Sequence, residues 1–222
     1  MTSAPALVAV LDYGIGNLRS AQKALEHVGA DARLTADHGL IADADAVVLP
    51  GVGAFGACVG ALRASGLWDV ARDAALGPTP FLGICIGMQL LFEGSDESPG
   101  VQGLAVFDGQ VRRLRGDVKL PQMQWNKCTP TRPSELMSEE PWMYFVHSYG
   151  ADCDPDLISA TCDYGSTVVA MVERGQCWAT QFHPEKSGTD GLDLLRRFVS
   201  IADRSSPMAE SATAPTTAER AA

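Results

Sequence analysis

Positive charge is scarce in this chain: 17 Lys and Arg stand against 27 Asp and Glu, for a formal net charge of −10. The basic residues are scattered and not interleaved with aromatics, so a polyanion is excluded as the expected partner and no nucleic-acid binding is expected. The opening MTSAPALVAV has no basic segment of the kind that begins a secretory signal, and its apolar run is expected to lead straight into a first strand. Long unbroken apolar runs are also missing. Ala46 to Leu62 and Ala74 to Phe92 have the length of a membrane span, but glycines and prolines interrupt both at turn-like spacing. They read as core strands with their loops, and no membrane partner is expected. The six cysteines (58, 85, 128, 153, 162 and 177) form neither a CxxC pair nor a zinc-ligand pattern. No metal centre and no disulfide framework is expected, and the pattern fits free thiols in a reducing cytoplasm.

What is present suffices for one buried α/β domain, since 46% of the 222 residues are hydrophobic and 20% charged. The domain is expected to occupy residues 1–204. From Ser205 to Ala222 the composition is Ser, Ala, Thr, Pro and Glu without apolar periodicity, and a disordered tail is expected.

Leu7 to Asp12 reads as a strand, followed by a turn at Gly14-Ile15-Gly16 and a helix carrying Leu18, Ala21, Leu25 and Val28 at helical spacing. A dinucleotide fingerprint would need a third glycine, and Arg19-Ser20 occupies its neighbourhood, so a tight turn is the better reading. Further strands are expected at Ala32 to Thr35 and Asp45 to Pro50, with helices at Ala57 to Ala64 and Leu67 to Leu76. This alternation implies a mostly parallel sheet flanked by helices, with functional loops at the strands' C-terminal ends. Beyond Gly94 the runs Leu104 to Leu114, Pro121 to Thr129, Trp142 to Tyr149, Ile158 to Asp163, Thr167 to Glu173 and Gln176 to Phe182 read as short strands. They are expected to extend the sheet, largely antiparallel, with the last two forming a hairpin, before a closing helix at Gly188 to Ala202.

The chemistry centres on Gly83-Ile84-Cys85-Ile86-Gly87. A buried strand enters this pentapeptide and a helix, expected from Ile86 to Phe92, leaves it, so Cys85 falls on a nucleophile elbow. Glycines two residues to either side suit a corner where backbone meets backbone and a Cβ has no room. The helix N-terminus would favour thiolate over thiol. A small buried hydrophobe in a glycine-rich turn is the bland alternative for the pentapeptide alone. It loses ground to His183-Pro184-Glu185, where the imidazole can take the thiol proton and the carboxylate can orient the imidazole. His183 and Glu185, two apart in extended backbone, are expected to project to one side. A thiolate attacking an acyl carbon also needs donors for the developing oxyanion, and the N–H groups of Ile86 and of the Gly51–Gly53 loop, at Val52 and Gly53, are the candidates.

Three segments taken together, Pro50-Gly51-Val52-Gly53-Ala54-Phe55, Gly83-Ile84-Cys85-Ile86-Gly87-Met88-Gln89 and His183-Pro184-Glu185, resemble the class I glutamine amidotransferases over about residues 7 to 202. The opening Asp12-Tyr13-Gly14-Ile15-Gly16-Asn17, the pair Trp125-Asn126 and the run Tyr144 to Tyr149 are similar to one branch of that family. That branch feeds ammonia to a separate (βα)₈-barrel cyclase subunit in histidine biosynthesis. The resemblance implies a single-domain, flavodoxin-like fold and hydrolysis of glutamine, with no cofactor and a heterodimer with the cyclase. By motif position it implies that Gln89, Glu97, Ser148 and Tyr149 hold the glutamine head group, while Asn17, Ser20, Trp125 and Tyr144 face the cyclase. Pro121-Gln122-Met123-Gln124-Trp125-Asn126 departs from the family's usual Pro-His-Met-Gly-Trp-Asn, so the backbone near Trp125 need not follow the family there. Alternatives are the amidotransferase subunit of another synthase, such as anthranilate synthase, a stand-alone cysteine amidase, or a binding protein that uses the same fold. Removal of Ser205 to Ala222 is expected to leave the melting temperature nearly unchanged, because the segment has nothing apolar to bury. A clear drop in a thermal melt would show that it docks.

Overall fold

A computed structural model describes residues 4–137 and 139–205 of the protein. Its first half runs β1 (Leu7–Leu11), α1 (Leu18–His27), β2 (Asp31–Thr35), α2 (His38–Ala42), β3 (Ala46–Gly51), α3 (Phe55–Ala64), α4 (Trp68–Leu76), β4 (Phe81–Cys85) and α5 (Ile86–Leu90). Then come β5 (Gly94–Ser95), β6 (Gly109–Arg113), β7 (Gln122–Lys127), β8 (Thr129–Pro130), β9 (Trp142–His147) and β10 (Tyr149–Cys153). The chain closes with β11 (Ile158–Asp163), β12 (Thr167–Arg174), β13 (Cys177–Thr180) and α6 (Gly188–Ser205).

The strongest apolar runs form the middle of an eight-stranded sheet of order β2-β1-β3-β4-β13-β12-β11-β8. All residues of β3 and β4 are buried. A parallel strand covered on both faces needs an apolar or small side chain at every position, which is why these runs are continuous rather than alternating. From β2 to β13 the pairings are parallel, giving the 2-1-3-4-5 order of flavodoxin-like folds. β12, β11 and β8 then add in antiparallel register. The expected hairpin is β12 and β13, with Arg174 opposite Cys177 and Gly175 at φ 60 in the two-residue turn. Helix α1 buries Leu18, Ala21, Ala24 and Leu25 on one stripe and packs on α6, while α3 packs on α5.

The structure corrects several expectations. The second half does not all extend the main sheet: β10-β6-β5 form a separate three-stranded sheet and β7-β9 a two-stranded ribbon. Trp142 to Tyr149 is not one strand, because the chain changes partner at Ser148, from β7 to β6. Leu104 to Leu114 is strand only from Gly109, the helix after Cys85 ends at Leu90, and α6 continues to Ser205. Helix α2 has a signal that the apolar periodicity hid, since the Asp37 carboxylate caps it by accepting from Leu40 N at 2.8 Å. Gln124 sits in regular register opposite Phe145, so its replacement of a glycine needs no unusual backbone. Apart from Ser205, the segment expected to be disordered lies outside the described residues.

Gly60 lies exposed in the middle of α3, and a Cβ added there would meet nothing within 4 Å. Gly60→Ala is therefore expected to stabilise the protein by about 0.5–1 kcal/mol through lost unfolded-state entropy, read as a higher denaturant midpoint at unchanged slope.

Candidate active site

Cys85 ends β4 at φ 55 and ψ −108, a conformation that residues with a Cβ rarely adopt. The neighbouring glycines are what allow it. A Cβ on Gly83 would stand 3.0 Å from the Gly87 carbonyl oxygen, and a Cβ on Gly87 only 1.8 Å from that of Leu49. Strand, turn and helix are thus in backbone contact, and the corner pushes the Cys85 side chain toward the sheet's C-terminal edge. Gly51, beside it on β3, is closed to a side chain as well, because a Cβ there would lie 2.7 Å from Tyr13 Oη.

His183 follows β13, with Pro184–Lys186 wound into one 3₁₀ turn. Its Nδ1 lies 2.8 Å from Glu185 Oε1, and both side chains are almost fully buried. The turn, rather than strand alternation, brings the two side chains together. His183 N donates to Tyr144 O at 3.0 Å and Ser187 Oγ donates to His183 O at 2.6 Å, so the backbone of the histidine is held from both ends. Because a carboxylate only accepts, Nδ1 carries the proton and Nε2 is left for Cys85. Burial works against the imidazolium, but the interactions with Cys85 and Glu185 outweigh it and raise the His183 pKa to about 9. Nε2 itself completes no hydrogen bond of good geometry, so it remains available to a proton in transit.

Cys85 and His183 open onto a cavity of about 400 Å³ that also has Val52, Gly53, Ile86, Gln89, Glu97, Ser148, Tyr149 and Asn17 in its lining. The loops after β1, β3, β4 and β13 reach it from the C-terminal ends where open α/β sheets bind their ligands, while Glu97 follows β5 and Ser148 and Tyr149 lie where β9 passes into β10. Gly53 has φ 98, and the loop before it is tied down by Tyr13 Oη donating to Pro50 O at 2.8 Å and Cys58 Sγ to Val52 O at 3.4 Å. Glu97 Oε2 accepts from Phe55 N at 2.7 Å, where α3 begins. The buried Gln89 donates through Nε2 to Tyr149 O and to Gln181 Oε1, each at 3.0 Å, and its Oε1 has no protein partner.

Ser20, Trp125 and Tyr144 stand apart from the cavity lining, whereas Asn17, expected on the partner side, reaches it. Trp125 is 48% exposed and packs edge-on against Tyr144 on the β7-β9 ribbon, beside an exposed Met123. Sequence reasoning missed His147, Lys186 and Gln181. His147 lines the cavity, and its Nδ1 lies 2.8 Å from Tyr149 O. Burial, aided by the charge of His183, lowers its pKa to about 4, so it is neutral across the working pH range. Gln181 is fully buried, and a Gln beside Thr180 in an otherwise apolar strand was the available signal.

An elbow cysteine on the same cavity as a histidine held by a buried glutamate is the arrangement that cysteine-dependent acyl transfer needs. Residues 9–202 match the class I glutamine amidotransferase family, and the chain belongs to that family. Within it, the chain is 46% identical over 197 residues to the imidazole glycerol phosphate synthase subunit HisH of Methanothermobacter thermautotrophicus, covering 88% of this chain and 98% of that protein. It is likewise 46% identical over 199 residues to the subunit of that name from Acinetobacter baylyi, covering 86% of this chain and 97% of the other. Among solved structures, a glutamine amidotransferase superposes with a TM-score of 0.70 at 21% identity, over 88% of this chain and 98% of that one. PurLQS from Thermotoga maritima gives 0.68 at 18%, over 88% and 98%, and both likenesses establish the fold alone.

Glu185→Gln removes a charge that helps to hold the His183 pKa near 9. The histidine is then expected to titrate lower, toward its ordinary value near 6.5, in an NMR titration of its ring carbons. An unchanged titration would remove Glu185 from this role.

Proposed function

We propose that the protein hydrolyses glutamine to glutamate and ammonia and delivers the ammonia to the cyclase subunit of imidazole glycerol phosphate synthase. There it would be used to form imidazole glycerol phosphate and AICAR in histidine biosynthesis. The observation that carries the chemistry is the strained, buried Cys85 sharing one cavity with His183, whose Nδ1 is held by the buried Glu185. The close similarity to the HisH subunits carries the choice of pathway.

His183 Nε2 takes the thiol proton, and the thiolate attacks the carboxamide carbon of glutamine. The N–H groups of Ile86 and of the Val52-Gly53 segment, which line the cavity, would donate to the developing oxyanion, and one such donor is typically worth about 10²–10³ in rate. Collapse of the tetrahedral intermediate transfers the proton from His183 to the amide nitrogen, which leaves as ammonia. Water, activated by the same imidazole, then cleaves the thioester and releases glutamate. Glu185 keeps the imidazole in the required tautomer and stabilises its charged form. The unpartnered Oε1 of Gln89 and the Glu97 carboxylate suit the cationic end of a free amino acid, with Ser148 and Tyr149 completing the head-group site. The exposed Met123 and Trp125, with Tyr144, Asn17 and Ser20, form the surface we assign to the cyclase. We assign a cytoplasmic location, which the six free thiols support; among the described residues no helix is long and apolar enough to cross a membrane.

In the assembled enzyme, Cys85→Ala is expected to abolish glutamine-dependent turnover and to leave ammonia-dependent turnover near the wild-type rate. Equal loss of both activities would overturn this division of labour.

A further inference from the structure

A line of three carboxamide-type groups runs beneath the nucleophile, and its polarity is dictated from one end. The Tyr149 carbonyl can only accept, so the atom of Gln89 facing it at 3.0 Å must be the nitrogen. That nitrogen has a second hydrogen, which points at Gln181 from 3.0 Å and requires an oxygen there. With its oxygen so committed, Gln181 has only its nitrogen to present to the Cys85 sulfur, 3.8 Å away. The orientation of both amides, ordinarily ambiguous, is therefore set by one backbone carbonyl.

We propose that Gln181 is a positioning residue for this chemistry: its side-chain N–H donates to the Cys85 sulfur and stabilises the thiolate, while its oxygen holds Gln89 in place. This rests on the glutaminase reading given above. A hydrogen bond to a charged acceptor is worth more than one to a neutral acceptor, so the donor favours thiolate over thiol. Gln181 is fully buried, and its backbone N–H is anchored to Ala170 O at 2.9 Å, so no water replaces the donor and the strand does not drift. The arrangement gives the sulfur two neighbours with separate tasks, since His183 moves the proton and Gln181 holds the charge that remains.

The other ionisable groups around the sulfur are His183 with Glu185 behind it, Tyr13 and Cys58 on the opposite side, and Glu97, His147 and Lys186 in the cavity lining. Burial raises the pKa of Tyr13 and of Cys58 and keeps both neutral near the sulfur. None of these groups is altered by a substitution at position 181.

The test is the pH dependence of Cys85 alkylation by iodoacetamide in the full chain, followed on the Cys85 peptide by mass spectrometry so that the other five thiols do not contribute. Gln181→Met keeps the length and removes the donor. Its alkylation midpoint is expected to rise by about one pH unit. Glutamine turnover with the cyclase should fall, because thiolate is lost and Gln89 loses its acceptor, with ammonia-dependent turnover unchanged. Gln181→Glu, which sets a like charge near the sulfur, is expected to shift the midpoint further upward. A midpoint in Gln181→Met that coincides with wild type overturns the proposal, whatever happens to turnover. If Gln181→Met does not fold, Gln181→Asn withdraws the donor by one methylene and carries the same expectation and the same refutation. Failure of the wild-type protein with cyclase to release ammonia from glutamine would instead overturn the functional reading, and the thiol titration would still decide the role of Gln181.

Discussion

The contact on which the site depends is between two backbones: Gly87, in the first turn of α5, lies against the carbonyl of Leu49 on β3. A single methyl group at that place would sit 1.8 Å from the carbonyl oxygen, far inside van der Waals contact, so the helix could not approach the sheet at this height. Everything at the nucleophile follows from the approach. The chain must turn within one residue, and that residue, Cys85, takes a backbone conformation costing on the order of 1–3 kcal/mol. All five residues of α5 are buried, and the burial offsets the strain. The corner thus carries stored strain and a reactive side chain at one position, an arrangement that persists only because the packing around it leaves no other.

The same sheet explains why residues from distant parts of the chain share one cavity. Parallel strands all present their C-terminal ends on one edge, so the loops after β1, β3, β4 and β13 converge without a dedicated connection. β13 is placed next to β4 by parallel pairing, with Thr180 opposite Ile84, and this register sets His183 above Cys85. The small sheet and the ribbon of the second half have a different task. By changing partner at Ser148, the chain brings Ser148 and Tyr149 over the cavity and leaves the outer face of β7 uncovered.

Buried polar groups are costly unless paired, and this site has many. The His183–Glu185 couple is paired within the cavity wall, and Gln89, Gln181 and the Tyr149 carbonyl satisfy one another behind it. At the site, Gln89 Oε1, His183 Nε2, His147 Nε2 and the second carboxylate oxygen of Glu185, Oε2, have no partner among the described residues. Gln89 Oε1 and His183 Nε2 are the atoms to which the mechanism assigns a substrate or a proton. Other unpaired buried atoms, at Gln122, Arg132, Ser159 and Gln176, lie away from the cavity lining.

The sequence by itself determined the elements whose causes are short in range. Steric demands within five residues mark the elbow at Cys85, the triplet His183-Pro184-Glu185 sets an imidazole and a carboxylate side by side along the chain, and unbroken apolar runs mark the doubly covered strands; the 3₁₀ turn that joins His183 to Glu185 stands where extended backbone was expected. These patterns, with the glycine-rich segment at Val52 and Gly53, were legible because each depends on neighbours along the chain. Only the tertiary structure decided which strands leave the main sheet, where Trp142 to Tyr149 breaks, and that Gln181 meets Cys85 across 96 residues of sequence and Gln89 across 92. A buried side chain's hydrogen-bond partner depends on strand register and on the packing of segments far apart in the chain. A buried glutamine therefore looks the same in the sequence whether it faces a thiol or a methyl group.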